Sequence, residues 1–245
     1  MKISIITVVK NGMPFIKDAI NSYKKQNYKN KELIIILSNS DDNTEKFLKK
    51  KKIKFFKISK KDENRYHALN YGIKKAKGDV IGILHSDDIF YKNNTIKVIA
   101  NMFKKKNLEG VYGGVKFCKK NNIQNFVRIW KPKNITFDCI KLGMTIPHTS
   151  LFLKKKVFKK IGLYNTKFKI SSDYDFIIRI FCKNINIINT NKYHCIMRIG
   201  GDSTNTKFFF KKILEDIIIL KKNRLSMLLI FYKILSKIPQ LLIKK

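Results

Sequence analysis

Apolar and polar positions alternate in blocks through the first ninety residues. Residues 2–9 are rich in Ile, Val and Thr, the composition of a buried strand. Pro14 then predicts a helix reaching about Gln26, since proline is tolerated in a first turn. Residues 32–37, 53–58 and 80–84 are further apolar runs and predict three more strands. Asp41 or Asp42 is placed to cap a helix that runs to about Lys50. Residues 66–75 read as a third helix, with Gly78 where a C-cap glycine belongs. This strand–helix rhythm predicts an α/β fold, a mostly parallel sheet covered by helices.

Beyond residue 90 the pattern loosens. Residues 94–105 predict a helix and 110–117 a strand. Residues 119–147 read as irregular, punctuated by Pro132, Gly143 and Pro147. Short helices are expected over 154–161 and 173–182, and a strand over 184–189. From Lys207 the chain is basic, apolar and helical in pattern, with a break near 223–226.

In parallel sheets ligands bind beyond the carboxyl ends of the strands. Three polar stretches fall there: Lys10-Asn11-Gly12, Ser38 to Asp42, and His85-Ser86-Asp87-Asp88. Together they would line one crevice, as in a nucleotide site. Asp87 and Asp88 repel one another unless a divalent cation, shared with a diphosphate, offsets the repulsion. The competing reading is a solvated turn. Asp173-Tyr174-Asp175 opens a helix, where a carboxylate is either a cap favoured by the macrodipole or a general base. Asp175 and Arg179 are spaced to pair, which leaves Asp173 facing the site. His148, in IPHTS, is a candidate phosphate contact or metal ligand, or a structural ring. Arg198 to Ser203 reads as a Gly-Gly turn, either a lid over a phosphate-bearing ligand or an ordinary loop.

Charge adds a second question. The 53 Lys and Arg against 17 Asp and Glu give a net charge of +36. That suggests nucleic acid or an anionic membrane as partner. The lysines are scattered in short runs, however, and Lys, Asn and Ile share AT-rich codons, which favours compositional drift. Such a surface still attracts anionic lipids. Hydrophobic residues make up 44% of the chain, which excludes global disorder. The four cysteines form no CxxC pair, so buried free thiols in a reducing cytosol are expected. The N-terminal apolar stretch is too short for a signal peptide, and the run at 227–232 is far below the roughly 20 residues of a membrane span.

The ordered series VVKNG, SNSDDNT, YHALNYGI, KGDVIGILHSDD, PHTSLFLKKKVFKKIGLYN, SSDYDFIIRI and RIGGDST resembles family 2 glycosyltransferases of the GT-A fold, in the branch that builds bacterial surface polysaccharides. The likeness covers about residues 1–205: a nucleotide-binding half over 1–90 and an acceptor half over 91–205. It implies an inverting, metal-dependent transfer of a sugar from a nucleotide sugar, commonly a UDP-sugar, to a lipid-linked saccharide or polysaccharide. By the resemblance Asp173 is the catalytic base. Asp88 coordinates Mn²⁺ or Mg²⁺, with His148 as a further candidate ligand. Asp87 contacts the ribose or metal side of the donor. Val9, Asn11, Ser38, Asn39 and Asp41 surround the nucleobase, and His67 and Asn70 flank the donor. Five positions depart from the family pattern: Lys10 stands where a tyrosine or similar residue is common, Ser38 where an aspartate is usual, His67 where an acid is expected, His85 where many relatives are acidic, and Ser172 where Glu is common.

Residues 206–245 lie outside the resemblance and read as a basic amphipathic helical tail, either a peripheral membrane anchor or a helix packed on the domain. The expected location is the cytoplasmic face of the bacterial plasma membrane. The rival classes are a basic nucleic-acid-binding protein, a nucleotidyltransferase, and a non-catalytic sugar-binding relative. The first leaves the acidic pair unexplained, and the second lacks its glycine-rich phosphate loop.

Overall fold

A computed structural model describes residues 1–59, 64–105, 107–141, 145–200 and 209–226. The elements follow in the order β1 (Ile3–Val9), α1 (Ile16–Lys24), β2 (Lys31–Leu37), α2 (Thr44–Lys50), β3 (Phe55–Lys57), α3 (Arg65–Lys75), β4 (Val80–Ile83), β5 (Ile89–Phe90) and α4 (Thr95–Lys105). Then come β6 (Gly110–Lys119), β7 (Asn122–Trp130), α5 (Phe137–Lys141), a 3₁₀ turn (His148–Ser150), β8 (Phe152–Lys154), α6 (Lys155–Ile161), α7 (Ser172–Cys182), β9 (Ile187–Arg198) and α8 (Phe209–Lys222).

One mixed sheet organises the chain, in the order β3-β2-β1-β4-β8-β6-β9-β5, with β7 paired to β6 outside that path. The strands β3, β2, β1 and β4 are parallel, as the apolar runs predict. Buried parallel strands read as continuous apolar runs because helices cover both faces. In β2, Ile34 and Ile36 face the core shared with α3, while Ile35 and Leu37 face Ile16, Ile20 and Leu48 of α1 and α2. Beyond β4 the sheet turns mixed: β8 inserts antiparallel between β4 and β6. Gly82 permits that insertion, since a Cβ there would lie 2.2 Å from the Phe152 ring.

Several local expectations change. Residues 119–147 are not irregular throughout, because β7 forms a hairpin with β6. Its residues are mostly exposed, so the alternation that marks a half-buried strand is muted. The strand expected over 184–189 runs on to Arg198, past polar Asn189 to Lys192, where its pairing with β6 shifts register. Gly78 is not a left-handed C-cap: α3 ends at Ala76 in extended backbone. Instead the Gly78 N–H donates to Ser4 Oγ at 2.8 Å, and a Cβ would lie 2.5 Å from that oxygen. The first helix starts at Ile16, two residues after Pro14. Of the cysteines, Cys118 and Cys195 are buried, but Cys139 is half-buried and Cys182 exposed; all four are free.

The described part of the tail, α8, packs on the domain through fully buried Ile219 and Leu220. The Gly-Gly stretch from residue 201 and the segment 227–245 lie outside the described residues. Among the described residues no helix is long and apolar enough to cross a membrane.

Candidate active site

The ends of β1 and β2 are laced together. Val9 is buried, and its carbonyl accepts the Ser38 N–H at 2.9 Å. Asn11 takes a left-handed backbone (φ 51°), donates its N–H to Ser40 Oγ at 3.0 Å and accepts the Asp41 N–H on Oδ1 at 2.8 Å. Neither capping candidate is the N-cap of α2, which is Asn43 without a side-chain cap bond. Asp42, just before it, accepts from Thr44 N at 3.0 Å and Met13 N at 2.9 Å and so ties the loop to the end of β1. Ser38 is buried, whereas Asn39 and Asp41 are exposed on the rim.

The acidic pair follows β4. Asp88 closes a tight turn through its N–H to the His85 carbonyl at 3.1 Å. Its side chain is buried; Oδ1 accepts the Arg198 N–H at 3.2 Å and Oδ2 has no hydrogen-bond partner among the described residues. Burial, with Asp87 beside it, pushes the Asp88 carboxyl well above the usual range, against the opposing pull of Arg198. The pairing of β5 with β9 sets Ile89 opposite Ile196 and so brings Arg198 behind the pair. The buried Arg198 guanidinium reaches three separate segments. It donates to the Asp87 carbonyl, to the Lys120 carbonyl at 3.0 Å and to Asp18 of α1 at 2.6 Å.

Asp173 stands in the first turn of α7, and its Oδ2 lies 3.2 Å from Nδ1 of His148. Nε2 of His148 in turn lies 2.9 Å from Nε2 of His85. Burial alone would raise the Asp173 pKa, but the His148 bond and charge, with Lys212 and Arg65, hold it well below the usual carboxylate range. Burial, then His148 and Arg65, lower His85 to about 3, so that ring is neutral at pH 7. Tyr66 of α3 donates to the Ile170 carbonyl at 2.7 Å and sits 3.3 Å from Asp173 Oδ1. Its ring stacks on Tyr164, which stacks on Phe176 of α7 at 4.3 Å between centroids, a rigid backing for the carboxylate. Asp175 is turned away and pairs with Arg179 at 2.8 Å, as the spacing predicts.

The remaining expected donor contacts lie on α3 and on the 3₁₀ turn. Asn70 uses both ends of its amide on the backbone of Tyr164, at 2.8 and 3.0 Å. His67 is exposed on α3. His148 spends both ring nitrogens on Asp173 and His85 rather than on Asp88. Sequence reasoning left His85 without a role, passed over Arg65, and took Tyr66 and Lys212 only as part of helical stretches.

Two acidic sites 85 residues apart are thus joined by His85 and His148 at the carboxyl edge of a half-parallel sheet. The glycosyl transferase family 2 model matches residues 4–162, well over half of the chain. The chain belongs to glycosyl transferase family 2. A curated relative, an uncharacterized glycosyltransferase of Rickettsia conorii, is 32% identical over 191 residues, 73% of this chain and 31% of that protein. A Rickettsia typhi relative is 32% identical over 71% of this chain and 56% of its own length. The chain therefore spans about a third to a half of these curated relatives. An uncharacterized glycosyltransferase of Haemophilus influenzae is 27% identical over 94% of this chain and 92% of its own. Among solved structures, S. aureus TarS residues 1–349 with UDP-GlcNAc superimposes at TM-score 0.70, with 17% identity over 90% of this chain and 66% of that one. The mannosyltransferase PcManGT of Pyrobaculum calidifontis, with GDP-Man and Mn²⁺, superimposes at 0.63 with 14% identity, over 90% and 63%. These likenesses bear out the expected GT-A fold. The family match stops ahead of α7, so the placement of Asp173 rests on this chain's own geometry.

Proposed function

We propose that this family 2 chain transfers a sugar from a nucleotide sugar to a hydroxyl of a lipid-linked saccharide or polysaccharide, by single displacement with inversion. The observation that carries the reading is the hydrogen-bonded line Asp173–His148–His85, which ends three residues before Asp88. That line links the proposed proton acceptor to the turn that carries the proposed diphosphate-side carboxylate. TarS bound to UDP-GlcNAc and PcManGT bound to GDP-Man support a nucleotide-sugar donor. Nucleotide sugar and lipid carrier would meet at the cytoplasmic face of the plasma membrane.

Asp173 takes the proton of the acceptor hydroxyl as its oxygen attacks the anomeric carbon. With its pKa held low, the carboxylate is charged near neutral pH and accepts that proton late, when the hydroxyl has become acidic. His148 donates Nδ1–H to it and fixes its orientation. Neutral His85 faces His148 through its Nε2, which holds that ring in line with the carboxylate. Val9, Asn11, Ser38, Asn39 and Asp41 form the nucleobase end and Asp87 meets the ribose. Asn70 acts through Tyr164, and His67 flanks the donor.

A divalent ion held chiefly by substrate phosphates needs one or two carboxylates from the protein. Among the described residues no three His, Cys, Asp or Glu are gathered to hold an ion alone. The partnerless buried Oδ2 of Asp88 fits the lesser requirement. Asp88, with Asp87, would hold Mn²⁺ or Mg²⁺, which as a Lewis acid eases departure of the nucleoside diphosphate. The test is calorimetry of UDP-, GDP- and TDP-sugars with and without Mn²⁺. Mn²⁺-dependent binding of one nucleotide, lost in Asp88→Ala, is expected; binding of none would overturn the proposal.

A further inference from the structure

α8 buries its acids and exposes its greases. Glu215 and Asp216 are 7% and 4% exposed, yet Phe210, Leu214 and Ile218 are 79%, 60% and 54% exposed. At 3.6 residues per turn, Phe210, Leu214, Ile218, Lys211 and Lys221 fall within one arc of about 100°. Lys211 and Lys221 are exposed there as well. A surface helix of a soluble domain usually shows the reverse arrangement, with acids outside and large apolar side chains inside.

The inversion has a local cause. Glu215 faces inward because its carboxylate accepts three successive main-chain N–H groups, from Lys169 at 2.9 Å, Ile170 at 2.9 Å and Ser171 at 2.8 Å. Asp216 faces Lys212 at 3.5 Å, and Lys212 also reaches Ser171 Oγ at 3.2 Å. Both acids are thereby withdrawn from the outer face, which is left purely apolar and cationic.

We infer that the outer face of α8 lies in the interfacial layer of an anionic bilayer, with Phe210, Leu214 and Ile218 entering the acyl boundary. Lys211 and Lys221 sit beside the apolar stripe, where their stems cover hydrocarbon and their ammonium groups meet lipid phosphates. Charge decides between this occupant and a second copy of the chain. Two such faces would bring like-charged lysines together in a molecule of net charge +36, whereas anionic headgroups complement them. α8 also packs on α7, whose first turn carries Asp173. The bilayer would thus touch the side of the domain that carries the proposed base. That link to a lipid-linked acceptor rests on the proposed function; the membrane contact does not.

Flotation of the full chain with phosphatidylglycerol–phosphatidylcholine vesicles tests the inference, against pure phosphatidylcholine vesicles. Wild type is expected to float with the anionic vesicles only. Leu214→Glu with Ile218→Glu should lower the bound fraction about tenfold or more. The charge-matched pair Lys24→Gln with Lys46→Gln, on exposed faces of α1 and α2, should stay within about twofold. Equal losses in the two variants would reduce the attraction to bulk charge and overturn the assignment, as would no loss in either. A dimer in wild type that the α8 variant abolishes would hand the face to a second copy. Should the Glu pair lower the melting temperature, Leu214→Gln with Ile218→Gln decides. Donor calorimetry on the same variants reads the transferase proposal separately, since flotation involves no turnover.

Discussion

Nδ1 of His148 lies 3.2 Å from Oδ2 of Asp173, which gives the proposed base a fixed partner. Loss of the ring has opposed effects: the carboxylate becomes a stronger base but loses the anchor on Oδ2, keeping only those on Oδ1 from Tyr174 N at 3.0 Å and Tyr66 at 3.3 Å. Misplacement dominates, because an ångström at the reacting centre costs roughly 100-fold. His148→Ala is expected to lower kcat by about 10- to 100-fold, and Asp173→Asn by about 100- to 10,000-fold. Calorimetric donor affinity should stay within about twofold of wild type in both variants. Donor binding lost in His148→Ala would instead make that ring a metal or phosphate ligand.

Arg198 braces the acidic pair from behind by its bonds to Asp18, the Lys120 carbonyl and the Asp87 carbonyl. Arg198→Ala leaves those acceptors unsatisfied and lets the turn relax, at a cost of about 2–4 kcal/mol in urea denaturation. Arg198→Lys keeps the charge but not the planar fork, so it should recover less than half of the loss. Mn²⁺-dependent donor binding should weaken alongside. Unchanged donor binding in Arg198→Ala would show that the brace is dispensable.

His194 gives the fold an acid-sensitive point. It is 1% exposed, with Nδ1 2.7 Å from the Ser150 carbonyl and Nε2 2.8 Å from Thr190 Oγ1. Burial lowers its pKa to about 4, against the opposing pull of the Ser150 bond. The unfolded chain binds that proton below about pH 6.5 and the folded chain only near pH 4, so stability falls between them as pH drops. The loss is on the order of 3 kcal/mol. Asp88, with its raised pKa, works in the opposite direction in every variant that keeps it. Urea midpoints at about pH 7, 5.5 and 4 should therefore fall more steeply for wild type than for His194→Gln. Parallel curves would mean that the buried ring takes its proton at an ordinary pH.

Gly82 marks where β8 enters the sheet. Gly82→Ala puts a Cβ 2.2 Å from the Phe152 ring and should cost about 1–3 kcal/mol in thermal or urea unfolding. Phe152→Leu in the same chain should restore part of it, a coupling that a double-mutant cycle reads directly.

Buried parallel strands were legible because helices on both faces demand unbroken apolar runs, and β1, β2 and β4 supply them. The hairpin strand β7 was not: most of its side chains meet solvent, so nothing enforces a period of two. β5 and β8 span two and three residues, too few to show a period at all. Asp88 and Asp173 could be found because strand ends and helix starts are local features. The meeting of His85 with His148, across 63 residues, is tertiary and leaves no local trace. The bracing by Arg198 likewise appears only once β9 is known to run antiparallel to β5.

The three N–H groups held by Glu215 belong to the segment just ahead of Asp173. Deleting α8 would strip their acceptor and expose the core surface that Ile219 and Leu220 cover. Truncation is therefore the wrong instrument for dissecting this chain: it would report the proposed chemistry and the proposed membrane contact as one phenotype. Only substitutions on the outer face of the helix can make the two genetically separable.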